Sequence, residues 1–483
     1  MRTIAAWPLL LLPLFFVIHG FVEFYPIIPL PEAILLYFIY VGYGLFAALL
    51  SRAFYQNWKQ AFILGFYILF IELFFGAIHD TLKATFPFSV INKYSYLLPL
   101  IFIILLLIGY SIRKGALSQL RYLYFVCTTL ILLTIVDLGI FIANGSPSKI
   151  RNPLPENTQI GINQPDQLTD IYLVIADEYP GNTTLKKFFN HANDSFLNQL
   201  RGRGFYIADS AISNYNFTEF STASLFNMNY LRKIVGRNAS LNHLSYCFQT
   251  IQENPFNTYL QQKGYQFKNH SIFDFYGAPS LVKPYLLPGK TKPLTEQTLT
   301  RRVIRDIGYH VFTDFEWAAD YFDLDEINRK NNEYLYQETI QTTKTDVPSF
   351  HYTHLIMPHA PYYYNRSGVL RPKAEWIKKD TAIYLEYLDY TNRQLLKLVD
   401  SIQRRSDKKA AILLIGDHGI RTNPIELPIP YHFQTLTSIY LPKQQYSHFY
   451  PSISHVNLLR ATVNSLFGEK MKYLKDSTIY LQE

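Results

Sequence analysis

Long apolar segments dominate the first 143 residues of this 483-residue chain, and charged residues are scarce among them. Five segments approach the length of about 20 residues with which an α-helix crosses roughly 30 Å of hydrocarbon. They lie at residues 4–21, 33–50, 61–78, 96–112 and 122–143. Five such segments in succession are typical of a membrane protein, so the sequence predicts a transmembrane domain of five helices over residues 1–145.

Lysine and arginine are unevenly distributed between the short connections of this domain. Arg52 and Lys59 lie in the second connection and Arg113, Lys114 and Arg121 in the fourth, whereas the first has neither residue type and the third has two lysines, which weaken the contrast without reversing it. Because such residues favour the cytoplasmic side, we expect an inside N-terminus and a chain that lies outside the membrane after residue 143. The first segment lacks a small-x-small cleavage site, which favours an uncleaved helix over a signal peptide.

Charge and cysteine content exclude two classes of function. The formal net charge of +8 is spread thinly, and the only basic cluster lies at residues 404–409, so we interpret it as solvated surface and expect no nucleic-acid binding. Cys127 lies in an apolar segment and Cys247 outside it. An intrachain disulfide and a cysteine metal site are therefore not expected.

Two acidic residues interrupt the apolar segments, namely Glu72 and Asp137. Charges at membrane depth are costly and usually face a polar cavity or a polar partner. Two interpretations stay open: they line a vestibule for a lipid headgroup, or they form hydrogen bonds between helices.

The composition changes after residue 145. Residues 146–170 are rich in Asn, Pro, Gln and Gly and predict a linker, and residues 171–483 predict a soluble catalytic domain. Ile171–Ala176 is a short apolar run that ends in Asp177 and Glu178, and AAILLIGDHG ends similarly in Asp417 and His418. Both runs are typical of buried parallel strands.

A third strand is predicted in SFHYTHLIMPHAP, which carries His351, His354 and His359. Residues 381–404 have apolar positions at helical spacing, and strands that alternate with helices predict an α/β fold with a mostly parallel sheet and helices on both faces. Ligand sites in such sheets lie beyond the carboxyl ends of the strands, where Asp177, Asp417 and His418 would meet. Carboxylate and imidazole ligands suit one divalent metal, Zn or Mn, which can deprotonate a bound hydroxyl.

This combination of motifs resembles the sulfatase and alkaline phosphatase superfamily. It is most similar to the membrane-bound branch with a threonine nucleophile, which includes phosphoethanolamine transferases and lipoteichoic acid synthases. The resemblance implies an alkaline-phosphatase-like domain in which Asp177, Thr218, Asp417 and His418 hold the metal. The segment SNYNFTEFSTASLFNMNYL resembles the nucleophile region, with Thr218 as the best fit, although Ser221, Thr222 and Ser224 compete.

In the same resemblance, His354 and His359 are similar to histidines on the substrate side, where they would stabilise or protonate phosphoryl oxygens. The implied function is transfer of a phosphoethanolamine or phosphoglycerol headgroup from a membrane phospholipid donor to an envelope glycan or lipid acceptor. The protein would be a multi-pass protein of the inner or plasma membrane, with a periplasmic or extracellular catalytic domain. Glu178 could be a second ligand, but a solvated carboxylate is the simpler interpretation.

The sequence departs from the family at two places. It contains no Cys or Ser followed by Pro at the second and Arg at the fourth position, so a formylglycine sulfatase mechanism is disfavoured. The transferases usually carry another His shortly after the Asp-His pair. The corresponding place in this sequence is near Thr437, and His432 lies nearby but not at the matching position. A phosphodiester or sulfuric ester hydrolase, and a catalytically degenerate member that binds envelope glycan, therefore stay open as alternatives.

Overall fold

We describe the protein from a computed structural model. The structure describes residues 6–25, 28–55, 57–86, 89–115, 120–143, 168–234, 236, 239, 241–282, 291–308, 324–341 and 347–482. The chain divides into two compact units. The first comprises Met1–Ser148 and Pro284–Leu324, and the second comprises Lys149–Lys283 and Asp325–Glu483.

Five apolar helices form most of the first unit. They are α1 (Trp7–Glu23), α2 (Leu30–Ser51), α3 (Trp58–Thr85), α4 (Tyr94–Arg113) and α5 (Leu120–Ala143), with a short 3₁₀ helix at Val90–Asn92. Among the described residues, α2 to α5 are long and apolar enough to cross a membrane, and α1 is a shorter apolar helix of 17 residues. The predicted N-terminal membrane domain is confirmed, and the exact number of spans stays a prediction.

Both acidic residues of the apolar segments have partners within this unit. Asp137 lies 3.1 Å from the imidazole Nδ1 of His19, so this pair links α5 to α1. Glu72, on α3, accepts hydrogen bonds from the backbone and the side chain of Thr300. These contacts favour hydrogen bonding within the protein over a vestibule as the role of the two carboxylates.

Residues 284–324 are grouped with the membrane helices, whereas the sequence prediction assigned them to the catalytic domain. The described part of this insertion contains α11 (Lys292–Thr295), α12 (Leu299–Val303) and a π-helical turn at Ile304–Gly308. It is too short and too polar to resemble a membrane span. Its placement depends on hydrogen bonds to α3, and no local sequence pattern predicts these hydrogen bonds.

The second unit is built on one six-stranded sheet. Its strands are β1 (Ile171–Ala176), β2 (Tyr206–Ile207), β3 (Gln266–His270), β4 (Ser349–Leu355), β5 (Ala411–Gly416) and β6 (Thr437–Tyr440). The order is β2-β6-β5-β1-β4-β3. Strands β3, β4, β1 and β5 are parallel, whereas β6 and β2 run antiparallel at one edge. The predicted mostly parallel sheet is confirmed.

Helices cover both faces of this sheet. They are α6 (Asn182–Phe189), α7 (Asp194–Gly202), α8 (Thr218–Asn227), α9 (Leu241–Gln252), α10 (Pro255–Gln262), α13 (Leu324–Gln341), α14 (Thr381–Arg405) and α15 (His455–Phe467). Helices α8, α9, α10 and α15 contribute to one apolar core, and α6, α7, α13 and α14 contribute to the other. Because β1, β4 and β5 are covered on both sides, every residue of these strands is buried.

Candidate active site

The register of the three central strands brings the predicted acidic residues together. Ala176, the last residue of β1, pairs with Gly416, the last residue of β5, so Asp177 and Asp417 leave the sheet at the same level. His354, on β4, pairs with Ile175, which is the residue of β1 directly before Ala176. The carboxyl ends of parallel strands thus deliver two carboxylates and one imidazole to a single edge of the sheet.

Strand alternation directs these three side chains to the same face. Ile175 and Ile415 belong to the core beneath α8, and each lies two residues before one of the aspartates. Because side chains two residues apart share a face, Asp177 and Asp417 point toward α8. Tyr352 belongs to the same core, and His354 follows it by two residues.

His351 lies on the opposite face of β4, away from this group. Its ring stacks on Tyr172 with centroids 4.2 Å apart, and its Nε2 lies 2.9 Å from the hydroxyl of Ser349. Burial, reinforced by the charges of His270 and Lys268, lowers the pKa of His351 to about 3. The imidazole is therefore a neutral part of the core at physiological pH.

This burial predicts a loss of stability in acid. The pKa of His351 lies below its ordinary value of about 6.5, so between pH 6.5 and 3 the unfolded chain binds more protons than the folded chain. Stability is fully present above pH 6.5 and falls toward pH 3, by up to about 1.4 kcal/mol per pH unit from this one group. Denaturant unfolding of the full chain between pH 4 and pH 7.5 measures that slope.

The matched variants are His351→Gln and, as a control, His448→Gln at a partly exposed position. We expect a smaller slope of unfolding free energy against pH for His351→Gln and an unchanged slope for His448→Gln. An identical slope in wild type and His351→Gln would contradict this account of the buried histidine.

Asp177, His354 and Asp417 form a group that can hold a metal ion. One ligand atom from each residue lies within 4.8 Å of the others, and all three residues are buried. Asp177 Oδ1, Asp417 Oδ2 and His354 Nε2 have no hydrogen-bond partner among the described residues. Buried polar atoms are rarely left unpaired, so the donor set fits a divalent cation that accepts carboxylate and imidazole ligands.

The other oxygen of Asp417 fixes the carboxylate in place. Oδ1 accepts 2.8 Å hydrogen bonds from the backbone N–H groups of Glu178 and His418, which leaves Oδ2 directed at the group. The two flanking glycines allow this turn. A Cβ on Gly416 would lie 2.4 Å from the carbonyl oxygen of Tyr179, and one on Gly419 would lie 2.3 Å from that of Tyr431.

His418 presents one ring nitrogen to the site. Its Nδ1 lies 2.8 Å from the carbonyl oxygen of Gly419, which can only accept, so Nδ1 carries the proton and Nε2 keeps its electron pair. Nε2 lies 3.5 Å from Asp417 Oδ2 and 3.2 Å from the hydroxyl oxygen of Thr218. It can accept the hydroxyl proton or bind a metal.

Thr218 is the first residue of α8 and is partly exposed. The positive end of the helix dipole and the N–H groups of the first turn favour an anion beside this hydroxyl. The three neighbouring hydroxyl groups that compete with Thr218 are less available for attack on a substrate. Ser221 is buried and donates a 2.5 Å hydrogen bond to the carbonyl oxygen of Asp417, Ser224 donates to Ser221, and Thr222 is fully buried.

His359 and Glu178 lie on the other side of the group. The His359 Nε2 is 3.7 Å from a Glu178 carboxylate oxygen, and its side chain is 34% exposed. Burial opposes the charge of this imidazole, but the carboxylates of Asp177 and Glu178 outweigh burial and raise the pKa of His359. Because Nδ1 also contacts the carbonyl of Ala360, the ring suits donation of a proton from Nε2.

Glu178 is buried, which corrects the interpretation of a solvated carboxylate. It adopts a left-handed backbone conformation with φ of 56° and accepts a 3.0 Å hydrogen bond from the backbone N–H of Arg421. The neighbouring Asp177 is charged. Burial opposes this charge, but the neighbouring imidazoles, His359 foremost, hold the pKa of Asp177 well below its usual range.

Two further histidines support the site without joining the group. His455, at the start of α15, lies 3.3 Å from the Ser221 hydroxyl and was not singled out from the sequence. Burial lowers the pKa of His455 to about 3. The Nε2 of His432 contacts the carbonyl oxygen of Leu427, and Thr437 is a buried residue of β6.

The chain is similar to known proteins in both sequence and structure. The sequence model of the Sulfatase family matches residues 191–462, more than half of the chain. No curated protein gives a significant match. The integral membrane lipooligosaccharide phosphoethanolamine transferase A of Neisseria meningitidis is similar with a TM-score of 0.40 and 12% identity, over 98% of this chain and 96% of that one.

Two further solved structures are similar as well. The C-terminal periplasmic domain of EcEptC from Escherichia coli has a TM-score of 0.39 and 11% identity, over 63% of this chain and 84% of its own. A putative sulfatase of Bacteroides fragilis has a TM-score of 0.37 and 13% identity, over 64% of this chain and 76% of its own. The family match over residues 191–462 confirms the resemblance found in the sequence, and the chain therefore belongs to the Sulfatase family and is a sulfatase-like enzyme with an N-terminal membrane-helix domain.

Proposed function

We propose that this enzyme transfers a phosphorus-containing headgroup, of the phosphoethanolamine or phosphoglycerol type, from a membrane phospholipid to an envelope glycan or lipid. The observation that carries the proposal is the place of the Thr218 hydroxyl. It lies at the start of α8 and 3.2 Å from His418 Nε2, which is 3.5 Å from the unpaired Asp417 oxygen. A nucleophile, a ring nitrogen that can hold a cation beside it and an anion-binding helix end are thus combined.

In this proposal Asp177, Asp417 and His418, with Thr218 as the fourth ligand, would hold one Zn or Mn ion. The proximity of His354 Nε2 to Asp177, at 3.8 Å, adds His354 to this ligand set, and because its Nδ1 contacts the Tyr352 hydroxyl, no ring nitrogen is left for the predicted substrate-side role. When bound, the cation would lower the pKa of the Thr218 hydroxyl and neutralise charge on the phosphoryl oxygens.

The first displacement involves two proton transfers. Thr218 attacks phosphorus, and its proton passes to water, since His418 Nε2 is committed to the cation and a bound hydroxyl loses its proton readily. The raised pKa of His359 favours the protonated imidazole, which suits it to donate a proton to the oxygen of the departing lipid. The product of this step is a covalent phospho-threonine, and a second displacement passes the headgroup to the acceptor.

The charges at the ends of the membrane helices predict on which side of the membrane the reaction takes place. Arg52 follows α2 and Lys59 lies in the first turn of α3, while Arg113 ends α4 and Lys114 follows it, so the opposite end of the bundle is the predicted outer end. Helix α5 ends at Ala143 on that side, and the chain continues into the catalytic domain. We infer a periplasmic or extracellular catalytic domain in an inner or plasma membrane protein, with access to a phospholipid donor.

The experiment that tests this proposal measures transfer of a labelled headgroup from the donor lipid to the acceptor. Full-length enzyme in vesicles should be incubated with phosphatidylethanolamine or phosphatidylglycerol carrying a labelled headgroup, with and without an envelope lipid or glycan fraction. We expect label on the acceptor only when the acceptor is present. Label released into water at the same rate in both conditions would favour a hydrolase, and no consumption of either lipid by the metal-loaded enzyme would contradict the proposal.

A further inference from the structure

Residues 291–308 belong to the membrane unit although the sequence on both sides belongs to the catalytic domain. The chain therefore reaches the catalytic unit, returns to the membrane helices, and enters the catalytic unit again. We call residues 291–308 the return segment. Its contacts with α1, α3 and α4 are specific.

One face of α3 contacts the return segment. Glu72, Gly76 and Asp80 are four residues apart and therefore share a face of the helix. The carboxylate of Glu72 accepts hydrogen bonds from the Thr300 hydroxyl at 2.8 Å and from its backbone N–H at 3.1 Å. The carboxylate of Asp80 binds both terminal nitrogens of Arg302 at 2.6 Å, which is a bidentate pair.

Two glycines allow the backbone of the segment to approach. The N–H of Gly76 donates a 2.7 Å hydrogen bond to the carbonyl oxygen of Gln297, and a Cβ on Gly76 would lie only 2.7 Å from the Cα of that residue. A Cβ on Gly20, in α1, would lie 2.3 Å from a methyl group of Leu294. By contrast, a Cβ on Gly139, in α5, would have nothing within 4 Å.

Departure of the segment would remove most hydrogen bonds of a buried carboxylate inside the membrane domain and leave it that of Tyr43. Glu72 is 2% exposed, and its hydrogen bonds from Thr300 come from the segment. A buried carboxylate in a membrane helix is stable only when it is paired or hydrogen-bonded. The docked position is therefore built into the sequences of α1 and α3, since an ordinary membrane anchor needs neither this acid nor the two close-contact glycines.

The docking site lies at one end of the bundle. Gly20 is near the end of α1, Asp80 is near the end of α3, and Tyr94 opens α4 and donates a 2.7 Å hydrogen bond to Asp306 of the segment. Asp137, near the end of α5, contacts His19, near the end of α1, so the end of α5 lies on this same side of the bundle. The return segment thus joins the bundle at the end where the chain leaves it for the catalytic domain.

We propose that the return segment is a second anchor, which ties the catalytic domain to the membrane domain through Glu72, Gly76 and Asp80. The anchor restricts the positions that the catalytic domain samples and so raises the effective concentration of a membrane-borne donor at its site. This part rests on the proposed function. Disruption of the anchor reduces turnover of a lipid donor, while turnover of a small soluble phosphodiester is retained.

The test uses the full-length enzyme in vesicles and four variants. Asp80→Arg and Arg302→Asp each break the ion pair, the double variant restores it with reversed charges, and Gly76→Val blocks the approach of Gln297. Gly139→Val is the matched control because its new side chain enters open space. Cleavage within residues 284–324 by a non-specific protease reports docking and does not depend on activity.

We expect cleavage at least about 10-fold faster in Asp80→Arg, Arg302→Asp and Gly76→Val, and wild-type rates in the double variant and in Gly139→Val. The ratio of lipid-donor to soluble-diester turnover should fall at least about 10-fold in the first three variants and recover in the double variant. Unchanged cleavage in the broken variants would overturn the anchor. Faster cleavage with an unchanged turnover ratio would overturn its role in catalysis. Absence of lipid turnover in the wild type would refute the proposed function, while the cleavage rates still decide the anchor.

Discussion

Replacing Thr218 with alanine is expected to abolish turnover of a phosphodiester while most of the bound metal is retained. The variant loses the hydroxyl that lies 3.2 Å from His418 Nε2, but Asp177, Asp417 and His354 keep their positions at the strand ends. Loss of a covalent nucleophile reduces activity by at least about 1,000-fold. Turnover, together with metal content by elemental analysis, measures both effects.

Thr218→Ser is the matched variant, because it keeps a hydroxyl at the start of α8 and should retain part of the activity. Ser221→Ala tests the nearest competitor and should retain catalysis by the hydroxyl of Thr218, since the Ser221 hydroxyl is committed to the carbonyl of Asp417. Substantial turnover in Thr218→Ala, or complete loss in Ser221→Ala with intact metal, would assign the nucleophile elsewhere.

Asp417→Asn is expected to remove the metal and the activity but to leave the fold intact. One oxygen of Asp417 accepts two backbone N–H groups, and an amide oxygen can continue to do so. The second oxygen, which has no hydrogen-bond partner among the described residues, becomes an NH₂ group that cannot bind a cation. Metal affinity should fall by more than the roughly 10–100-fold that loss of an outer-sphere partner costs.

Metal content and the thermal unfolding of the full-length variant measure these two consequences. Asp407→Asn is the control, because the side chain of Asp407 is 85% exposed and the same change there removes one surface charge. If Asp417→Asn bound as much metal as Asp407→Asn, then the group formed with Asp177 and His354 would not be the metal site.

The central strands could be predicted from the sequence because their local signal is strong. Ile171–Ala176 and Ala411–Gly416 are apolar runs flanked by carboxylates and glycine, and both are observed at the predicted places. Helix α14 follows the predicted apolar spacing to within one residue. In contrast, β2 has two residues and takes its place at the edge from pairing with β6, so no local pattern marks it.

The orientation of side chains could be predicted less well than the strands that carry them. His351 and His354 occupy the same strand, but they lie on opposite faces, and only the register with β1 shows which one meets Asp177. The burial of Glu178 depends on a backbone N–H of Arg421, 243 residues away. The return segment is held by contacts more than 200 residues apart in sequence, which a reading of local composition does not detect.

The covalent state of Thr218 tests the central claim most directly. Enzyme in vesicles of phosphatidylethanolamine or phosphatidylglycerol, without an acceptor, should accumulate a phospho-threonine, because the second displacement has no substrate. After acid quenching and trypsin digestion, the peptide of residues 204–232 contains Thr218 and all its competitors, and its mass can be measured. The account predicts an added phosphoryl headgroup that fragmentation assigns to Thr218, with the mass set by the donor lipid and absent from Thr218→Ala. An unmodified peptide from metal-loaded enzyme that consumes the donor would contradict the account and show that water attacks the phosphodiester directly.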